Sequence, residues 1–127
     1  MEKAYVFKVA SKYFKTDWKQ IEIKDDQTLG DFDRIIREAF DYDMDDHLSQ
    51  FFSGKVWRSE GFGEINFSGS GPGSKKRIKK IGLSVGDKME YVYDFGDDFQ
   101  HIIILKKIEE IEQGIKYPRI TPTKKMK

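Results

Sequence analysis

The chain has 127 residues, no cysteine and a formal net charge of +1, with 38% hydrophobic, 14% aromatic and 35% charged residues. One domain of this length can bury a real core, and the aromatic share is too high for a disordered chain. The absent cysteines exclude a disulfide framework, a thiolate metal site and a thiol nucleophile, and no apolar run is long enough to span a bilayer.

The start, Met1-Glu2-Lys3-Ala4-Tyr5, lacks the apolar stretch of a secretory signal, so a cytoplasmic location and no membrane partner are expected. The small net charge hides an uneven layout. Residues 41–54 carry four acids and no base, and residues 55–80 carry seven bases and two acids. Residues 81–100 carry five acids and one base, and residues 101–127 seven bases and three acids. Such blocks give a polar surface field unless the folded chain cancels them.

Tyr5-Val6-Phe7-Lys8-Val9-Ala10 reads as a strand with Tyr5, Phe7 and Val9 on one face. Residues 11–17 are turn-like, and Trp18 to Ile23 alternates again, which predicts an antiparallel hairpin. Thr28 suits an N-cap, and Asp31 three residues on stands where a capping box has Glu or Gln. Leu29, Phe32, Ile35, Ile36, Ala39 and Phe40 recur at helical spacing and predict a helix over 29–40. Asp33, Arg34, Arg37 and Glu38 fall on its other, polar face.

After the acidic loop 41–46, His47 to Phe52 reads as a third strand, continued by Lys55-Val56-Trp57-Arg58 beyond a turn at Ser53-Gly54. Glu64-Ile65-Asn66-Phe67 is a shorter strand candidate. Residues 68–74 are a flexible loop by composition. Lys75 to Ile81 follows as one helical turn that pins Ile78 and Ile81 to the core. Met89 to Tyr93 and Phe99 to Leu105 are the last strong strands, and Tyr117 to Lys127 reads as an extended, frayed tail. The expected organisation is one domain over 1–120 with a basic tail over 121–127. The expected fold is α+β: a single twisted mixed sheet, one main helix packed on it, and a β-grasp-like ββαβ start followed by further antiparallel strands.

Several of these segments form a pattern. Tyr5-Val6-Phe7-Lys8-Val9, Trp18 with Ile21-Glu22-Ile23, Thr28-Leu29 and Ala39-Phe40 belong to it. So do Asp45-Asp46-His47-Leu48 with Phe51, Tyr91 through His101, and Tyr117-Pro118. Over residues 4–119 the chain resembles the Ri-plasmid open-reading-frame-three-like family, which is related to an insertion-element passenger protein. The resemblance implies an α+β domain linked to mobile elements and no assigned chemistry. It departs at Phe99, where family members commonly have Trp, and in the lysine-rich end, where many have a Pro-Glu-Asp-rich one.

Two constellations carry candidate chemistry. Asp46, His47, Asp94, Asp97 and His101 combine imidazole and carboxylate donors suited to a divalent transition metal, whose bound water would serve a hydrolase. The plainer reading of Asp94-Phe95-Gly96-Asp97 is a structural corner, with Gly96 at positive φ and the Asp side chains on nearby N–H groups. No glycine-rich loop or strand lysine accompanies this Asp-Phe-Gly, so a kinase is excluded, and no P-loop or Ser–His–Asp elbow is present. Lys75, Lys76, Arg77, Lys79 and Lys80 form the second constellation, a basic run able to contact phosphates or stand as a solvated loop. The leading expectation is a non-enzymatic binding or accessory domain with no cofactor. It is a monomer or weak homo-oligomer whose partner is protein or nucleic acid. The alternative is a small metal-dependent hydrolase.

Overall fold

Side-chain alternation decides where each strand turns its buried face. The computed structural model describes residues 2–14, 16–42 and 47–121. Strands β1 (Lys3–Ser11) and β2 (Trp18–Lys24) form the expected antiparallel hairpin, with Phe7 opposite Ile21 and Tyr5 opposite Ile23. Helix α1 (Leu29–Ala39) follows. Thr28 Oγ1 accepts from the Asp31 N–H and the Asp31 carboxylate accepts from the Thr28 N–H, so aspartate closes a full capping box. Strands β3 (Ser49–Phe52), β4 (Gly61–Ile65), β5 (Lys88–Tyr93), β6 (Phe99–Glu110) and β7 (Arg119–Thr121) complete one seven-stranded sheet.

The strand order is β4-β3-β5-β6-β1-β2-β7, and each neighbouring pair is antiparallel. This overturns the expected mixed sheet and the grasp-like ββαβ start. In that start the strand after the helix would lie beside β1. Here β6 takes that place over nine paired residues, and β3 sits two strands further out against β5. Among the described residues the chain is thus chiefly sheet with one short α-helix, and fits α+β only loosely. The long β6 wins because its inward residues His101, Ile103 and Leu105 match the buried face of β1 and its twelve residues supply more ladder than four-residue β3 can.

Three further readings change. Residues 55–58 form turns and do not extend β3, and the fourth strand is Gly61–Ile65, ending before Asn66. Arg119–Thr121, expected to fray, pairs with β2 as an edge strand. The two edge strands are among the shorter ones, which limits exposed ladder.

Helix α1 buries its apolar stripe on one sheet face. Phe32 packs 4.8 Å from Phe7 and 5.3 Å from Phe51, which lies 4.7 Å from Tyr91, so one aromatic row ties helix, β1, β3 and β5 together. Each such side chain contributes about 1.5–3 kcal/mol by leaving water. The glycine-serine loop is built and not slack. Asn66 Oδ1 accepts from the N–H groups of Ser68 and Ser70, and a Cβ on Gly73 would meet the Gly63 carbonyl oxygen at 1.9 Å. The carbonyls of Ser74 and Lys76 then accept from Gly30 and Leu29 N–H, satisfying donors at the helix start.

Candidate functional site

The chain bends between β5 and β6 at residues 94–98. Asp94 and Asp98 hold the positive φ angles, 65° and 60°, and Gly96 does not, contrary to the expected role of the glycine. Aspartate tolerates this region because its short side chain bonds locally. Asp94 Oδ1 accepts from the Gly96 and Asp97 N–H groups, and the Asp98 N–H donates to the Asp94 carbonyl at 2.6 Å. The Asp98 carboxylate accepts from Trp57 Nε1 and Gln100 Nε2, and its carbonyl from the Tyr13 hydroxyl.

The five Asp/His candidates do not share one place. His47 Nδ1 lies 3.4 Å from Asp94 Oδ2, so these two meet as the pattern suggested. Asp97 is exposed, and Asp46 lies outside the described residues. His101 is fully buried behind aromatic rings, with centroids 4.9 Å from Phe40, 5.6 Å from Tyr42 and 5.5 Å from Tyr91. Its Nε2 is 2.6 Å from the Tyr42 hydroxyl. Burial pushes the His101 pKa down to about 4 and pushes the Tyr42 hydroxyl well up. Among the described residues no group of three His, Asp or Glu side chains is arranged to hold a metal ion.

Beside the corner lies an open cleft of about 490 Å³, walled by Tyr13, Phe14, Phe40, Tyr42 and Phe99. Asp17 and Asp97 supply carboxylates at its edge. Phe40 belongs to the helical stripe expected in the core, Asp97 to the expected metal set, and the other four rings carried no expected site role. Their signal was present only as aromatics next to turns, and it takes the fold to gather them.

A second polar cluster lies inside the core, contrary to expectation. Asp33 and Arg37, expected on the solvent face of α1, are each 1% exposed. Arg37 Nε donates to both Asp33 oxygens, Ser49 Oγ donates to Asp33 Oδ1 at 2.5 Å, and the Tyr91 hydroxyl donates to the same oxygen at 2.6 Å. Burial pushes the Asp33 carboxyl up, while the Arg37 charge and these donors oppose it. Arg37 also stacks 5.0 Å from the Tyr93 ring. The cluster consumes the hydrogen-bonding capacity of Asp33 inside the core, which is a structural use of an ion pair.

The basic run stands at the other end of α1. Ile78 begins a 3₁₀ turn (Ile78–Lys80) and is fully buried. The Ile78 N–H donates to Gln27 O at 2.8 Å and the Lys79 N–H to Asp25 O at 2.9 Å, while Thr28 bridges Arg77. Lys75, Lys76, Arg77, Lys79 and Lys80 are all exposed on this anchored ridge, and among the described residues none of them makes a salt bridge. The Arg77 guanidinium donates to the Asp26 carbonyl, and Lys76 lies 5.8 Å from the Phe62 ring.

Among the described residues no helix is long and apolar enough to cross a membrane. The chain belongs to the plasmid pRiA4b ORF-3-like protein family, whose model matches residues 3–126. It is similar to a crystal structure of a protein of unknown function from Methanosarcina mazei Go1, with 26% identity and a TM-score of 0.75. That likeness covers 96% of this chain and 69% of the archaeal one. No curated protein matches the chain.

Proposed function

With membership of this family as the premise, we propose that the domain is a non-enzymatic accessory module that binds nucleic acid through the ridge 75–80. The observation that carries the reading is five exposed cations on backbone-anchored chain, none held in an ion pair among the described residues. Phosphate neutralisation by such a row releases counterions and drives sequence-independent binding. Backbone anchoring lowers the ordering cost of each contact. No recognition helix accompanies the ridge, because its only helical element is a three-residue turn, so the binding expected is backbone-directed and not base-specific. The family resemblance would give this activity a role in mobile-element biology.

The polar groups elsewhere support a module without chemistry. His101 is enclosed by rings and Asp33 is saturated by donors. The test is gel retention of duplex and single-stranded DNA at low and raised salt, with Lys79→Glu/Lys80→Glu as the control. Retention that salt and the double variant both abolish supports the reading, and no retention at low salt refutes it.

A second reading, a metal-dependent hydrolase, draws on the His47–Asp94 contact. Metal analysis of protein purified without chelator, with His47→Ala and His101→Ala alongside, decides it. Stoichiometric metal lost in His47→Ala would favour it over the binding module.

A further inference from the structure

We propose that the cleft walled by Tyr13, Phe14, Phe40, Tyr42 and Phe99 is a docking site for a basic segment of a partner protein, which enters it as a lysine or arginine side chain. This does not rest on the nucleic-acid reading. Tyr13 and Phe14 stand 58% and 69% exposed on the β1–β2 turn, and Phe99 is 39% exposed across from them. Large rings held together in water mark an interaction surface. Aromatic faces attract cations, and the edge carboxylate of Asp97 selects for positive charge and against phosphate.

The molecule already contains one example of the contact. Lys19 Nζ sits 3.1 Å from Asp17 Oδ1 and 5.3 Å from the centroid of the Phe40 ring, one ammonium between one carboxylate and one aromatic face. Asp97 and Phe99, both on the wall of the cleft, supply the same two kinds of group. The Asp97 carboxylate makes no salt bridge among the described residues, while the one on Asp17 is taken by Lys19. The wall is also preset. Tyr42 lies flat on Tyr93 at 4.3 Å with an interplanar angle of 1°, and its hydroxyl is bonded to His101. A preset wall loses little freedom on binding.

Helix α1 separates the two surfaces. Its first turn is bonded to the segment leading into the basic ridge, and its C-cap Phe40 lines the cleft. A partner in the cleft therefore leaves the ridge open.

The experiment is fluorescence anisotropy with labelled peptides of equal length, one rich in lysine and arginine and one rich in glutamate. Spermidine serves as the free-amine competitor. Wild type is compared with Phe99→Ala and Asp97→Asn, exposed positions whose folding is checked by thermal melting, and with Lys79→Gln. The basic peptide is expected to bind saturably, with each cleft variant weakening it about three- to thirtyfold. Lys79→Gln should leave it unchanged, and the acidic peptide should not bind. Equal binding of both peptides, no binding, or insensitivity to Asp97→Asn overturns the proposal. So does spermidine competing at the peptide's own affinity, which assigns the cleft to a small amine. Self-association abolished by Asp97→Asn overturns it as well, assigning the cleft to a second copy.

Discussion

The Tyr42 hydroxyl lies 2.6 Å from Nε2 of His101, although 59 residues separate the two in the chain. The bond joins the segment after α1 to the start of β6 and gives the aromatic cleft its fixed wall. Both partners are neutral near pH 7, because burial lowers the histidine and raises the phenol.

That neutrality predicts a pH dependence of stability. His101 has a folded pKa of about 4, below the roughly 6.5 of the unfolded chain. Between those values the unfolded state binds more protons, so stability rises with pH through this window. The contribution is intact above about 6.5, falls as pH drops, and levels off below about 4, on the order of 3 kcal/mol in all. Urea denaturation from pH 4 to 7.5 should show this slope in the wild type and a flatter one in His101→Phe. Parallel profiles would mean that His101 does not carry it.

Breaking the Asp33–Arg37 pair should be costly. Asp33→Ala leaves a buried guanidinium without its carboxylate, and should destabilise the domain by about 3–5 kcal/mol. Asp33→Leu/Arg37→Met, which removes both charges, should cost much less than Asp33→Ala alone. Chemical denaturation of the two variants checks the order, and an equal loss would count against the stranded buried charge as the reason for the cost.

Gly73→Ala should loosen the anchor of the basic ridge. The added Cβ meets the Gly63 backbone oxygen at 1.9 Å, so the loop has to move away from β4. A loss of about 1–3 kcal/mol is expected, with faster amide exchange at Leu29 and Gly30, whose N–H groups bond Lys76 and Ser74. Unchanged exchange there would show that the loop does not depend on this approach.

Local pattern was legible in the residues, and long-range pairing was not. The β1–β2 hairpin, the Thr28 cap and the apolar stripe of α1 all follow from local patterns that neighbours can enforce. The order of strands does not, because the residues that pair with β1 lie 90 to 107 positions along the chain and nothing local names them. The burial of Asp33 and Arg37 ran against their charge. Only their four-residue spacing, together with Ser49 and Tyr91 on inward positions, hinted that a buried pair could be satisfied. For the site, the His47–Asp94 contact joins two segments that stand out by their acids, whereas the enclosure of His101 ran against its expected place in a metal site and was not legible, because the run Ile102-Ile103-Ile104-Leu105 is apolar on both faces. The aromatic cleft was hidden because its walls come from the β1–β2 turn, the end of α1 and β6.

The ridge reading is tested most directly by the salt dependence of duplex DNA binding. If five cations each neutralise a phosphate, the logarithm of the binding constant should fall against log salt with a slope of about −4 to −5. Lys79→Gln/Lys80→Gln should make that slope shallower by about two. A slope unchanged in the double variant, or binding that does not respond to salt, would contradict the account.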